Sequence, residues 1–365
     1  GGHMATGDAI FRPKYCVTCS HMPPVCSSDL ITDVFPSDSH YWEWFSLLVW
    51  FIPMKRFLAL ISITIAVTAC GNSSTQSDAQ KDAISVAASF YPIEEIVRRV
   101  GGTHVSVVGL TPAGEGAHDV QLTAKNLDEL TNASAVFYIS DGFQPDVEKA
   151  VASLPKSVIP VDLLQTVTLL DVVAQLDGTE GETDGEVLAS GKDPHVWLDP
   201  ANMIAMTTAV ADSLSQLKPE FATEFSKAAK SYIAELQALG SEIDTKLATC
   251  ESRALVTSHR AFAYLAKRAD IRQVAIAGVN PEEEPSAKSL EAIAAFAKAN
   301  KVSTIFFETL LPADLAKTLA DKVGAAADLL DPIEGISSND LTSGASYLTV
   351  QRDNLARITK GLRCS

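Results

Sequence analysis

The chain has 365 residues, of which 47% are hydrophobic and 20% are charged. This apolar fraction is that of a globular protein with a packed core, so the composition excludes a mainly disordered chain. The 45 acidic residues outnumber the 29 basic ones and give a formal net charge of −16, which disfavours nucleic-acid binding. No apolar run reaches the length of about 20 residues that a bilayer-spanning helix needs, which excludes a polytopic membrane protein.

The segment 54–70, MKRFLALISITIAVTAC, has the layout of a bacterial lipoprotein signal peptide. Two basic residues precede a short apolar stretch, and small residues precede Cys70. This pattern predicts a signal peptide over residues 54–69, lipidation of Cys70 and a polar tether over residues 70–82. Acyl chains on Cys70 would anchor the protein to a bacterial membrane on its extracytoplasmic side, either at the cell surface or in the periplasm. The alternative interpretation is a short buried helix with a chance cysteine.

Residues 1–53 precede this signal. Because Met54 is a natural start for a signal peptide, we interpret residues 1–53 as a cloning remnant followed by a mis-assigned leader. Apart from the cysteines of that leader and Cys70, only Cys250 and Cys364 remain. An exported protein lies in an oxidising compartment, so these two cysteines are expected to form one disulfide, with two free buried thiols as the alternative.

Apolar segments of strand length alternate with helical patterns twice along the chain. In the first half the pattern predicts helices over 92–100, 121–130 and 145–154, and strands over 84–90, 105–110, 135–139 and 158–163. In the second half it predicts helices over 261–269, 286–299 and 312–323, and strands over 254–257, 273–276, 304–307 and 327–330. Strands of this kind are typical of parallel sheets covered by helices.

Two segments interrupt this alternation. Residues 171–193 are acidic and rich in glycine, which indicates a solvated insertion or, less simply, a loop that collects cations. Apolar residues recur at intervals of three and four through the next segment and predict one long helix over 219–250. We therefore expect an α/β fold with an N-terminal lobe (83–218), a bridging helix (219–250) and a C-terminal lobe (251–365). Each lobe is expected to contain a mainly parallel sheet with flanking helices.

Four polar side chains follow predicted strands or the loops after them: His118, His195, His259 and Asp331. Ligands of open parallel sheets bind at the carboxyl ends of the strands, so these side chains are expected to meet in the cleft between the lobes. Three imidazoles and one carboxylate suit Zn²⁺, although other transition metals also accept imidazole. A complete set of four protein ligands leaves no open position, which argues against an enzyme.

Glu308 also ends a predicted strand. It is a candidate for a fifth ligand, for an acceptor that orients one of the imidazoles, or for a structural carboxylate, and the last two interpretations are favoured. His104 precedes a strand instead and is expected in an exposed turn.

These residues lie in motifs that resemble the bacterial metal-binding substrate-binding lipoproteins of ABC transporters, the cluster A-I zinc and manganese importers. The motifs are ASFYPIEEIVRRVGG, GLTPAGEGAHDVQLTAKNL, DPHVWLDPANM, VTSHRAFAYLAKRADI, GVNPEEEPSAKSL, FFETLLPADLAKTLA and LLDPIEG. The resemblance implies two lobes joined by a long helix, with the metal bound between them by His118, His195, His259 and Asp331. Histidine at the third position resembles zinc-type members, whereas manganese-type members more often have glutamate there.

The expected function is the capture of Zn²⁺ outside the cell and its delivery to an ABC permease and its ATPase. The protein is expected to be a monomer that contacts the membrane only through its lipid anchor, and to bind no nucleic acid. The alternatives are a manganese-binding member of the same family, a zinc hydrolase with three histidines and a bound water, and a surface adhesin that binds a host protein.

Overall fold

The structure, a computed structural model, describes residues 83–118, 120–172, 176, 190–282, 284–310 and 312–365. The predicted signal peptide, the lipidation site Cys70, the tether and most of the acidic segment 171–193 lie outside the described residues. Within the described part of the chain, no helix is both long and apolar enough to cross a bilayer.

The first half of the described chain forms a four-stranded parallel sheet. Its strands are β1 (Ile84–Ala88), β2 (Val105–Gly109), β3 (Ala135–Tyr138) and β4 (Ile159–Asp162), in the order β2-β1-β3-β4. The helices of this lobe are α1 (Tyr91–Gly101), α2 (Ala124–Thr131), α3 (Pro145–Val151) and α4 (Pro200–Leu217). The central strands β1 and β3 are apolar and buried along most of their length, as expected for a sheet covered on both faces.

The long helix α5 (Ala222–Leu247) follows, and the chain then forms a second four-stranded parallel sheet. Its strands are β5 (Ala254–Thr257), β6 (Arg272–Ala275), β7 (Thr304–Phe307) and β8 (Ala326–Leu329), in the order β6-β5-β7-β8. Its helices are α6 (Ala263–Arg268), α7 (Ala287–Ala299), α8 (Asp314–Val323), α9 (Ser338–Thr342) and α10 (Tyr347–Gly361). The second sheet therefore repeats the strand order of the first, and the prediction of two parallel-sheet lobes is confirmed.

This strand order defines the edge of each sheet at which a ligand is expected to bind. In both sheets the second strand lies on one side of the first strand, and the third and fourth strands lie on its other side. Ligands of such sheets bind at this switch point, outside the carboxyl ends of the strands. In the C-terminal lobe the switch point lies between β5 and β7.

The helix predicted over 219–250 corresponds to α5, which is preceded by a short 3₁₀ turn at Pro219–Phe221. It packs against α1 and α4 of the first lobe and against α10 of the second. Cys250 and Cys364 form a disulfide, so the predicted pairing is confirmed. The bond joins the segment after α5 to the end of α10.

The sequence analysis did not predict α4, α9 or α10. The N-cap Asp199 and the following Pro200 are helix-start signals for α4, but alanines and threonines on its other faces weaken the apolar contrast. In α10 the buried face includes the polar residues Gln351 and Asn354, which interrupt the apolar repeat. These polar side chains donate hydrogen bonds to backbone carbonyls that are distant in the sequence, so their burial has no local sequence signal.

Candidate metal centre

The N-terminal lobe supplies two histidines from loops. His118 lies in the loop between β2 and α2. Gln144 holds this loop in place, because its Nε2 atom donates hydrogen bonds to the carbonyl of Ala117 at 3.0 Å and to Oγ1 of Thr111 at 3.1 Å. The ring of Phe143 lies edge-on to the imidazole of His118, with 4.6 Å between the ring centroids. These contacts fix the position of His118 without using its Nε2 atom.

Asp193 orients the second histidine, His195, which precedes α4. One oxygen of Asp193, Oδ1, accepts hydrogen bonds from both the backbone N–H and the ring Nδ1 of His195, each at 2.9 Å. Because an ionised carboxylate can only accept, Nδ1 carries the proton, and the neutral ring presents the lone pair of Nε2. The side chain of His195 is completely buried, with Nε2 directed toward the other lobe.

The C-terminal lobe builds the same arrangement at its switch point. His259 follows β5 and Glu308 follows the neighbouring strand β7. Glu308 Oε1 accepts hydrogen bonds from the backbone N–H of His259 at 3.0 Å and from its Nδ1 at 2.7 Å. Of the three interpretations of Glu308, its position corresponds to the acceptor that orients an imidazole.

Glu334, in the loop after β8, is the carboxylate that reaches the three imidazoles. Its Oε1 lies 3.4 Å from Nε2 of His118, 3.7 Å from Nε2 of His195 and 3.2 Å from Nε2 of His259. The sequence analysis expected Asp331 at this position, and the structure corrects that expectation. Asp331 is not among the side chains that the structure brings together here, which are His118, His195, His259 and Glu334.

Asp331 stabilises the loop that carries Glu334 through hydrogen bonds. Its carboxylate accepts hydrogen bonds from the backbone N–H of Ile333 at 2.7 Å and from the hydroxyl of Thr309 at 3.3 Å. Ile333 has a φ of 57°, a conformation that β-branched residues rarely adopt, so the surrounding contacts must hold it. Trp197 contributes a further contact by donating from its indole N–H to the carbonyl of Pro332 at 2.7 Å.

The sequence offered little to distinguish the two carboxylates. Asp331 and Glu334 both lie in the motif LLDPIEG after the last strand, and loops have no periodicity that tells which side chain faces the cleft. The left-handed backbone at Ile333 redirects the chain between them. The glycine after Glu334 is a weak signal in the sequence that the backbone makes a close approach there. A Cβ atom at Gly335 would lie 2.5 Å from the carbonyl oxygen of Glu115.

Five of the six distances between the four donor atoms are close to the edges of a metal-centred tetrahedron, and the sixth, between His118 and His259, is within 4.8 Å. Nε2 of His195 lies 3.3 Å from Nε2 of His118 and 3.2 Å from Nε2 of His259. With the three distances to Glu334, five edges therefore measure 3.2–3.7 Å. Zinc binds nitrogen at about 2.0–2.1 Å, which sets the edges of a regular tetrahedron at about 3.3–3.4 Å. The spacing fits one Zn²⁺ ion at the centre.

The electrostatics of the cluster also favour a cation. In their neutral forms, His195 and His259 direct lone pairs at each other, and two acceptors cannot form a hydrogen bond. Glu334 Oε1 is buried and accepts no hydrogen bond of good geometry. Burial would raise the pKa of Glu334, but the nearby imidazoles outweigh it and hold that pKa well below its usual value. The carboxylate is therefore ionised, and a bound metal ion would replace the imidazole protons that otherwise balance its charge.

The pKa values of the imidazoles differ because their neighbours differ. Burial lowers the pKa of His118, and the attraction of Glu334 offsets this only in part. Burial also disfavours the charged form of His195, but Asp193 and Glu334 outweigh it and raise the pKa. For His259, the carboxylates Glu308 and Glu334 overcome burial and raise the pKa to about 10. Without a cation, protons therefore compete for two of the three rings.

Comparison with known sequences identifies the family. The sequence profile of the family described as "Zinc-uptake complex component A periplasmic" matches residues 86–361, which include both lobes and all four clustered side chains. The chain belongs to this family. The resemblance found in the sequence motifs is therefore confirmed.

Two curated members of the family show the extent of the similarity. The zinc-binding lipoprotein AdcA of Streptococcus pneumoniae serotype 4 is 32% identical over 309 residues, which cover 83% of this chain. The chain spans only 60% of the length of that relative. The high-affinity zinc uptake system protein ZnuA of Bacillus subtilis is 30% identical over 306 residues, which cover 82% of this chain and 94% of the relative.

Solved structures of the family have the same fold. The Zn(II)-bound ZnuA-like domain of Streptococcus pneumoniae AdcA matches with a TM-score of 0.64 and 31% identity, over 77% of this chain and 99% of that domain. The laminin-binding protein Lmb of Streptococcus agalactiae, described as bifunctional with adhesin and metal-transporting activity, matches with a TM-score of 0.67 and 29% identity. That match covers 77% of this chain and 100% of the other.

Proposed function

We propose that this chain captures Zn²⁺ outside the cell and delivers it to an ABC permease and its ATPase for import. The observation that carries the proposal is the convergence of three imidazole nitrogens and one carboxylate oxygen within 4.8 Å of one another. The zinc-uptake family and the names of the relatives support the same ion. The proposal treats the ion as cargo because the family is described as a zinc-uptake component.

The proposed ligands are His118, His195 and His259 through Nε2 and Glu334 through one carboxylate oxygen. Asp193 and Glu308 would orient two of the rings by accepting from their Nδ1 atoms, an arrangement that is common around metal-bound histidines. Each lobe therefore contributes two ligands, and binding would order the cleft from both sides.

Zinc is favoured over manganese by the donor set. Three nitrogens and one oxygen at tetrahedral spacing suit Zn²⁺, whereas Mn²⁺ prefers oxygen donors in an octahedral arrangement. The hydrolase alternative needs a position for a bound water, and Glu334 occupies the fourth corner of the tetrahedron. These two features support a binding protein rather than an enzyme.

The proposal also covers the cellular location, the oligomeric state and the domain division of the protein. We propose lipidation of Cys70, an extracytoplasmic location with membrane contact only through that anchor, and a monomeric state. The proposed division of the folded part is an N-terminal lobe (83–218), a bridging helix (219–250) and a C-terminal lobe (251–365). The names of the relatives, which include a zinc-binding lipoprotein, support the anchor.

Elemental analysis of protein purified without added metal tests the function directly. We expect about one zinc per chain and no stoichiometric manganese, since the four donors hold one ion. A competition titration should then show that an excess of Mn²⁺ fails to displace bound Zn²⁺. Preparations that carry manganese, or that bind neither ion, would overturn the proposal.

A further inference from the structure

A cavity of about 210 Å³ lies at the mouth of the histidine cluster and is lined by both lobes. The N-terminal lobe contributes Glu115 and Gly116 from the segment that leads to His118. The C-terminal lobe contributes Pro281 and Glu282 from the loop after β6, together with residues around the cluster. His118 and Glu334, two of the proposed ligands, are themselves part of the lining, so the cavity leads directly to the donor atoms.

The proposed ligands differ in their access to solvent. The side chain of His118 is 9% exposed, whereas those of His195 and His259 are 0% exposed. His118 is also a lining residue of the cavity, whereas His195 and His259 are not. An ion that arrives through the cavity therefore meets His118 and Glu334 before it meets the two inner rings.

Three hydrogen bonds join the segment around His195 to the C-terminal lobe. Tyr264 of α6 donates to the carbonyl of Asp193 at 2.7 Å, and Tyr347 of α10 donates to the carbonyl of Trp197 at 2.6 Å. The indole of Trp197 in turn donates to the carbonyl of Pro332. These buried bonds hold the segment around His195 against the C-terminal lobe.

The charge of the cavity suits a cation. Four of its described lining residues are glutamates, and none of its described lining residues is lysine or arginine. Glu115 and Glu282 are exposed at the mouth, one from each lobe, while Glu308 and Glu334 are buried at the inner end. The buried Oε1 of Glu334, which lacks a hydrogen-bond donor, independently marks the inner end as a place for a cation.

We propose that this cavity is the entry route of the ion, and that Glu115 and Glu282 form an acidic gate that raises the local concentration of Zn²⁺ and directs it to His118. Clefts lined by one sign of charge accelerate the binding of oppositely charged ligands by roughly 10- to 1,000-fold, with a strong dependence on salt. The proposal rests on the proposed function, since it assigns a path to the same ion. In this proposal the acidic gate increases the rate of zinc binding, and its two glutamates do not coordinate the bound ion.

The first test is the rate of zinc association in the full chain carrying Glu115→Gln and Glu282→Gln together. Stopped-flow mixing with Zn²⁺ and a fluorescent zinc indicator reports the rate at which the protein removes free ion. We expect association at low salt to slow by about 10-fold, and the difference from wild type to shrink as salt rises. The matched control is Glu224→Gln with Glu291→Gln, two exposed glutamates on α5 and α7 that do not line this cavity.

The second test obstructs the route without changing a charge or a ligand. A Cβ atom at Gly116 would have no heavy atom within 4 Å, and Gly116 lines the cavity, so Gly116→Phe adds a bulky ring at the wall of the route without a clash at its Cβ atom. We expect zinc association and dissociation to slow by a similar factor while the dissociation constant stays nearly unchanged. Gly116→Ala serves as the control, because its methyl group is too small to block the cavity.

The outcomes separate the route from the function. If the acidic-gate variant and its control take up zinc at equal rates at every salt concentration, and Gly116→Phe has no kinetic effect, the route is overturned while zinc binding stands. If the wild-type chain takes up no zinc, the proposed function fails and the route fails with it.

Discussion

At the scale of single residues, Glu334 has the position beside the three imidazoles that the sequence analysis expected for Asp331. Glu334 lies against the three imidazoles, and Asp331 caps the turn that brings it there. Burial raises the pKa of Asp331 to about 6, although the hydrogen bonds from Ile333 and Thr309 oppose this shift. The two residues therefore differ in what their removal should cost.

Glu334→Gln is predicted to weaken zinc binding by more than about 100-fold, whereas Asp331→Asn should cost less. The first change removes an anionic ligand, and the second affects only the support of the loop, an effect typically worth about 10- to 100-fold. Competition titrations with a chelator of known zinc affinity measure both. A larger loss in Asp331→Asn than in Glu334→Gln would contradict the assignment of the fourth ligand.

Proton release on zinc binding is predicted at neutral pH. Because Glu308 and Glu334 raise the pKa of His259 to about 10, this ring is protonated at pH 7 in the absence of metal. Zinc binds only the neutral ring, so the proton must leave, and affinity should fall by about tenfold for each unit of acidification per proton displaced. Calorimetry in buffers of different ionisation enthalpy counts the protons.

The variant Glu308→Gln provides the check on this prediction. Removing the charge of Glu308 lowers the pKa of His259, while the amide oxygen can still accept from Nδ1. We expect fewer protons to be released at pH 7 and a flatter dependence of affinity on pH. An unchanged proton count in this variant would show that Glu308 does not set the protonation of His259.

At the scale of elements, the sequence predicted the strands more successfully than the loops. Buried parallel strands are continuous apolar runs, so β5 and β7 were predicted with the bounds that the structure shows, and the other strands within one or two residues. The three histidines were found because each follows a strand or its loop. Glu334 was missed because its direction depends on the left-handed backbone of Ile333, which no sequence period encodes.

Gly335→Ala tests whether the two ligand-bearing loops must approach each other closely. The added methyl group would lie 2.5 Å from the carbonyl oxygen of Glu115, so the loop of Glu334 and the segment of His118 must separate. We predict at least a tenfold loss of zinc affinity, in the range found when the support of a metal ligand is disturbed, with little change in circular dichroism.

Gly116→Ala is the matched control for this change, because a methyl group at that position meets no atom within 4 Å. It lies in the same segment before His118 but leaves the contact between the loops intact. Equal zinc affinities in Gly335→Ala and Gly116→Ala would show that the close approach at Gly335 is not needed for binding.

At the scale of the whole molecule, two sheets of identical strand order place their carboxyl ends around the cluster of His118, His195, His259 and Glu334. The described chain connects them through α5, and buried hydrogen bonds from Tyr264, Trp197 and Tyr347 hold the lobes together beside His195. Since these bonds do not involve the ion, the relation between the lobes near His195 should persist without zinc. Movement on release is then expected mainly on the side of His118.

The disulfide should contribute to the stability of the fold but not to zinc affinity. Cys250 and Cys364 lie near the amino end of β5, whereas His259 lies beyond its carboxyl end. The bond closes a loop with a sequence separation of 114, and the loss of such a crosslink typically costs about 2–5 kcal/mol.

We therefore predict that Cys250→Ser with Cys364→Ser lowers the free energy of unfolding by several kcal/mol while the folded protein binds zinc as tightly as the parent chain. Urea unfolding with and without Zn²⁺ measures the first quantity, and chelator competition measures the second. Because zinc binds only the folded state, saturating Zn²⁺ should raise the unfolding midpoint of both proteins by similar amounts. A loss of zinc affinity in the double serine variant would show that the crosslink also maintains the ligand geometry at the opposite end of the sheet.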